Sequence, residues 1–150
     1  MNKKIFVAIP TGERGRNADF YDYYNQLIKP DNTILCSAHG SSPARSRNIM
    51  IRQALENECT HILFLDDDMV FEPNMLNKLL AHDKDIITGL YLLRNYPHLP
   101  VIFDKEYVNG SCQYSFLREG RSGLEEITNC GFGSVLIKTS VFTMMIEKGY

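Results

Sequence analysis

Three consecutive carboxylates, Asp66-Asp67-Asp68, follow the apolar stretch His61 to Leu65. An apolar run of that length predicts a buried strand. The acidic run then falls at the strand's carboxyl end, the edge of an open α/β sheet where ligands bind. Side chains alternate along extended chain, so Asp66 and Asp68 are expected to point one way and Asp67 the other. Two strand residues span about 6.6 Å, which lets the outer pair converge on one ion and its shell. Mg²⁺ or Mn²⁺ takes one or two protein carboxylates and completes its shell with water and phosphate oxygens. Three adjacent carboxylates also repel one another unless a cation neutralises them. Aspartate is common in turns and helix caps as well. Here Pro73 sets the next helix start near Glu72, too far along for the aspartates to cap it.

A second group of chemically useful side chains is basic. Arg45, Arg47 and Arg52 fall on a helix opened by Ser42 as N-cap and Pro43 at the first helical position. That helix is expected to run to about Asn57, with Ile51, Ala54, Leu55 and Glu58 on its inward stripe. Arg47 lies four residues before Ile51 and extends the stripe, from where its guanidinium could grip a diphosphate bidentately. Arg45 and Arg52 read as a solvated face pairing with Glu56 and Glu58. Arg14 and Arg16 lie in a glycine-containing loop after the first strand, but the GERGR segment is neither a P-loop nor G-x-G-x-x-G. Gly131 and Gly133 flank Phe132; the commoner reason for such glycines is a bulge or tight turn rather than close approach by a sugar. The histidines His39, His61, His82 and His98 show no paired zinc spacing and are read as structural. Tyr21, Tyr23 and Tyr24 are read as core and surface residues of the first helix.

The elements that must position these groups alternate. Ile5 to Ile9, Thr33 to Cys36, His61 to Leu65 and Asp85 to Thr88 read as strands. Phe20 to Ile28 (with Asp19 as N-cap), the Pro43 helix, and Glu72 to Leu80 (with Met75, Leu76, Leu79 and Leu80 inward) read as helices. The order β-α-β-α-β-α-β predicts an α/β domain with a mostly parallel, Rossmann-like sheet and helices on both faces. Beyond Tyr91 the signal weakens. Short strands are expected at Gln113 to Leu117, Glu125 to Thr128 and Val135 to Lys138. A final helix, capped by Thr139 or Ser140, is expected from Val141.

The chain has 150 residues, enough for one domain with a real core. Its net charge of -2 gives no global pull toward nucleic acid or anionic membrane, so any anion site must be local. Cys36, Cys59, Cys112 and Cys130 form no CxxC pair. No apolar run reaches membrane-spanning length, and the one at the N-terminus stops at Pro10, too short for a signal-peptide core. Those features predict a cytoplasmic protein with free thiols.

The order of motifs resembles a known family. Ser42 to Tyr91 is similar to the core of GT-A glycosyltransferases, close to glycosyltransferase family 2. There, a helix carrying an Arg-Asn pair precedes an apolar strand into Asp-x-Asp and a helix beginning near proline. Phe6 to Arg16 resembles the family's opening strand and nucleotide loop, and Asn129 to Phe142 its later glycine-containing strand. The resemblance implies a single domain of the nucleotide-diphospho-sugar transferase type. Residues 1–92 would be the nucleotide-binding core and 93–150 the start of an acceptor-side region. It implies a UDP- or GDP-sugar donor, a divalent cation, and transfer to a glycan or other hydroxyl acceptor. Pro10, Thr11 and Glu13 match the loop around the nucleoside, and Arg47 and Asn48 the Arg-Asn pair near the nucleotide. Asp66 and Asp67 fall on the nucleotide side, and Asp66 and Asp68 on the metal.

One part of the pattern is missing. Inverting members place their catalytic base after the glycine-containing strand, and this chain ends at Tyr150, just before that point. It therefore reads as a donor-binding half, truncated at its C-terminus, with no assigned base. Three other readings compete. A sugar-nucleotide nucleotidyltransferase would show a longer glycine-rich basic loop, and a haloacid dehalogenase-like phosphotransferase a different pattern after its aspartate. A non-catalytic nucleotide-sugar or carbohydrate-binding module needs no base.

Overall fold

The computed structural model describes residues 3–11, 18–38, 42–116 and 123–150. The chain forms two compact units, Met1–Gly89 with Phe132–Tyr150, and Leu90–Gly131.

The larger unit is built on a five-stranded sheet. Its strands are β1 (Ile5–Pro10), β2 (Ile34–Ala38), β3 (His61–Leu65), β4 (Ile86–Thr88) and, late in the chain, Ser134–Lys138. Among the described residues, four helices belong to this unit: α1 (Ala18–Gln26), α2 (Pro43–Glu56), α3 (Met75–Ala81) and α4 (Thr139–Glu147). Every residue of the two central strands β1 and β3 is buried, as continuous apolar runs predict for strands covered on both faces. Alternation divides them. Ile5, Val7, Ile9, Leu63 and Leu65 join Phe20 of α1 and Leu76, Leu79 and Leu80 of α3 in one core cluster. Phe6, Ala8, Ile62 and Phe64 turn to the opposite face, where α2 packs on the sheet through buried Met50 and Ala54 and touches α4.

The expected α/β unit is present, but its sheet is partly rather than mostly parallel. The strand order, with the late strand numbered β8, is β2-β1-β3-β8-β4. β1 pairs in parallel with β2 and β3, but β8 runs antiparallel to both β3 and β4. The cause is where the chain leaves and returns. It exits after Thr88, whose register partner is Val135 at the start of β8. Gly89 then donates its N–H to the Ser134 carbonyl (3.2 Å). A strand re-entering at the end where its neighbour stopped must run the other way.

Local chemistry accounts for the element ends. The Ser42 hydroxyl accepts the Arg45 N–H and Pro43 takes the first helical position of α2. The same helix stops sooner than its stripe predicts. Glu58 sits beyond it at φ 52, exposed, and Cys59 donates back to the Ala54 carbonyl (2.9 Å), a left-handed C-terminal cap. Buried Ser46, Met50 and Ala54 form its inward face, with Ile51 and Leu55 half-buried. Asp19 lies inside the first turn of α1 rather than capping it.

The smaller unit is a three-stranded antiparallel sheet, β6-β5-β7, made of β5 (Ile102–Val108), β6 (Ser111–Phe116) and β7 (Asn129–Cys130). The β5–β6 turn is Asn109-Gly110, both at positive φ (50 and 79), the backbone that a two-residue hairpin requires. Phe103 and Phe116 pair across it with ring centroids 4.8 Å apart. The strand expected over Glu125 to Thr128 does not form; pairing begins at Asn129. A side chain at Gly131 would overlap the Tyr91 hydroxyl and lie 2.7 Å from Val101 Cγ1. Packing inside this unit therefore favours glycine there.

Candidate functional site

Parallel strands end at one edge, and the reversed strand begins there. In the larger unit, Pro10, Ala38, Asp66, Gly89 and Gly133 all gather at that edge, and α2 starts from it after β2.

Asp66 is the first residue past β3. Its N–H donates to the Gly133 carbonyl (3.0 Å), and its own carbonyl accepts the Met69 N–H (3.2 Å). The second bond closes a tight turn over Asp66 to Met69. The expected strand-type alternation of Asp66 and Asp68 is therefore corrected: extended chain ends at Leu65, and the three carboxylates are dealt out by a turn. Asp66 and Asp67 are half-buried, and Asp68 is exposed. Among the described residues, no group of three or more His, Cys, Asp or Glu side chains comes together to hold a metal ion.

Arg47 reaches across from α2. Its Nη2 donates to Asp66 Oδ1 at 2.9 Å. The guanidinium also lies over the Phe132 ring, 5.2 Å from the centroid, within cation–π range. The Phe132 ring in turn leans on buried Phe64 (5.5 Å, 60° between planes). Only one guanidinium nitrogen is engaged by Asp66; Nε is buried and makes no hydrogen bond among the described residues, and neither does the buried Ser46 Oγ. Burial pushes the Asp66 carboxyl above the usual carboxylate range. Arg47 pulls it down through charge and hydrogen bond, and the charges of Asp68 and Asp67 push it up again. The net result is upward, so the protein holds this carboxylate at a cost.

Of the other expected residues, Pro10 ends β1 opposite Ala38. Thr11 is buried, with its N–H and hydroxyl both donating to the Ala38 carbonyl (2.9 and 2.8 Å). It fastens two strand ends. Glu13, like Arg14, Arg16 and His39, lies outside the described residues. Asn48 is exposed on α2, about 100° around the helix from Arg47. Arg45 and Arg52 are exposed as expected. The reading by residue type overlooked Phe132. Its one local signal is a bulky apolar residue between two glycines.

The structural histidines are accounted for locally. His61 is buried beside the Thr60 hydroxyl (Oγ1 to Nδ1, 2.8 Å), His82 caps α3, and His98 Nδ1 lies 2.9 Å from the Leu93 carbonyl. Among the described residues, no helix is long and apolar enough to cross a membrane.

Residues 39–104, less than half of the chain, match the family model Anp1. No curated protein matches the chain. The crystal structure of A197 from STIV is similar, with a TM-score of 0.61 at 19% identity over 93% of this chain and 67% of that one. At that identity the likeness speaks for the fold alone. These matches overturn the resemblance to glycosyltransferase family 2 drawn from the order of motifs: the segment carrying Arg47 and the acidic turn is matched by Anp1 instead.

Proposed function

We propose that the chain binds a nucleoside-diphosphate sugar at this sheet edge and forms the donor-binding part of a glycosyltransferase-related enzyme that delivers the sugar to a hydroxyl acceptor. The observation carrying the reading is the Arg47–Asp66 pair at the carboxyl end of β3, inside the segment similar to Anp1. An acidic turn, a guanidinium with spare donors and a buried, main-chain-tied strand end meet where sheets of this kind bind ligands. The accompanying fold reading is a Rossmann-like donor-binding sheet with one reversed strand.

A divalent cation belongs to this reading. The donor set suits an ion that draws most of its shell from water and phosphate oxygens, since Asp66 is already engaged by Arg47 and the three aspartates share one turn. Asp68, exposed in the turn, would hold the ion together with Asp66 or Asp67. When bound, such an ion stabilises charge on the departing diphosphate. The chain's own residues supply the rest. Arg47 binds a phosphate oxygen through the guanidinium donors that Asp66 leaves unused, and Asp66 fixes the direction of that guanidinium. Thr11 keeps the ends of β1 and β2 together beneath the nucleoside.

The test is calorimetric titration with UDP- and GDP-sugars in Mn²⁺ or in EDTA. Metal-dependent binding of at least one is expected, and Asp68→Asn should remove most of it. Absence of binding to every nucleotide sugar tried would defeat the proposal.

A further inference from the structure

We propose that Phe132 is a positioning residue, holding the Arg47 guanidinium where the ligand's anionic group binds; this rests on the donor-binding reading above. Phe132 stands between Gly131 and Gly133 with 40% of its surface exposed. It is too exposed to be a core residue, yet its ring has two defined contacts. One side meets the guanidinium at 5.2 Å, and buried Phe64 braces the ring at 5.5 Å.

An arginine head offers five N–H donors in a rigid plane. In this protein Asp66 engages Nη2 alone, through a single hydrogen bond. One bond fixes a point but leaves the plane free to turn about it. The Phe132 ring supplies the second constraint, because a guanidinium lying over an aromatic face is attracted to it. Ring and hydrogen bond together set the orientation of the remaining donors, among them Nε, which is buried and unbonded among the described residues. The backbone adds a further tie. Gly133, the next residue, accepts the Asp66 N–H, so one short segment entering β8 fixes both members of the Arg47–Asp66 pair. A head oriented in advance loses less freedom on binding an anion.

The experiment compares wild type, Phe132→Leu and Phe132→Tyr in two measurements. The first follows the Arg47 side-chain nitrogens by NMR, reading rotation about the guanidinium bonds and the upfield ring-current displacement. The second titrates inorganic pyrophosphate with Mg²⁺ by calorimetry. Phe132→Leu should speed the rotation, abolish the displacement and weaken pyrophosphate by roughly two- to five-fold, the loss of one exposed cation–π contact. Phe132→Tyr keeps the ring and should restore both. Unchanged Arg47 signals in Phe132→Leu would overturn the inference, as would an affinity loss that tyrosine fails to rescue. A wild type that does not bind pyrophosphate would sink the donor-binding reading, while the guanidinium signals would still decide whether Phe132 holds Arg47.

Discussion

The two ends of the same sheet use charge in opposite ways. At the amino end of β3, Lys138 lies 3.3 Å from Asp83 Oδ1 and 3.1 Å from Asp85 Oδ1 and also donates to the Asp83 carbonyl. Lys3 donates to the Leu80 carbonyl (2.9 Å), and Lys4 to that of Asn57 (2.7 Å). Cations there are spread over main-chain acceptors and two carboxylates, tying loop ends to strands. At the carboxyl end the balance reverses. Three carboxylates share a turn, and the first of them, though held by Arg47, is still harder to ionise than usual. Local interactions that oppose one another are expected at sites kept for a ligand rather than for stability. The contrast separates a fastening from the proposed site.

Arg47→Ala should produce the largest difference between the two ends. Loss of a charge-assisted hydrogen bond costs about 1.5–3 kcal/mol, so affinity for the nucleotide sugar should fall by roughly one to two decades. Arg52→Ala, on the exposed face of the same helix, should bind like wild type. Equal, small effects in calorimetry would assign both arginines to solvent.

Asp66→Asn probes the cost of the site. The folded protein raises the proton affinity of Asp66, so that contribution to stability is complete below the unfolded carboxylate range and is lost as pH rises through the folded value. A neutral amide does not suffer this loss. The melting temperature of Asp66→Asn relative to wild type should therefore climb from acid to neutral pH while nucleotide binding disappears. A flat difference across that range would show that Arg47 offsets the burial in full.

His61 marks the other end with the opposite sign. Burial lowers its proton affinity, and the neighbouring Lys3 and Lys138 lower it further against a small opposing pull from Asp83. Its contribution is present above the usual histidine value, about 6.5, and is lost as pH falls through the folded value. His61→Gln should flatten the acid side of the stability profile and leave binding unchanged, measured by thermal unfolding between neutral and mildly acid pH. The smallest effect is expected from Lys138→Met. It removes exposed ion pairs that salt already screens, so a slight loss of stability should vanish in high salt, with binding untouched. A binding defect in Lys138→Met would erase the distinction between the two ends.

Much of the larger unit was legible because its signals are local. Ser42-Pro43 opened α2 at the observed residue, and Met75, Leu76, Leu79 and Leu80 are all buried as their spacing predicts. Residue type and position placed the acidic run at the end of β3, but as extended chain rather than as the turn it forms. That Arg47 grips Asp66 is a pairing across nineteen residues, and a one-dimensional pattern gave only its direction, through the inward stripe. The reversed sense of β8 was not legible, because strand direction depends on where the chain returns and not on the composition of Ser134–Lys138. In the smaller unit one strong local signal marks the fold. Asn109-Gly110 between two alternating segments is a strong hairpin signal, and β5, which it joins to β6, carries Lys105 and Glu106 among its apolar residues. Phe132 was hidden for a different reason: its partners, Arg47 and Phe64, are far away in sequence.

The return of the chain beside its own exit makes the smaller unit a removable cassette. Gly89 and Ser134 are hydrogen-bonded neighbours, so the junctions of Leu90–Gly131 already lie close enough for a tight turn to join them. With that segment excised, β4 and β8 would become an ordinary antiparallel hairpin, and every pairing of the five-stranded sheet would survive. Closure cost rises only slowly with loop length, by about 0.6 kcal/mol per doubling. The sheet should thus accept inserts of many sizes at this point with little change in stability.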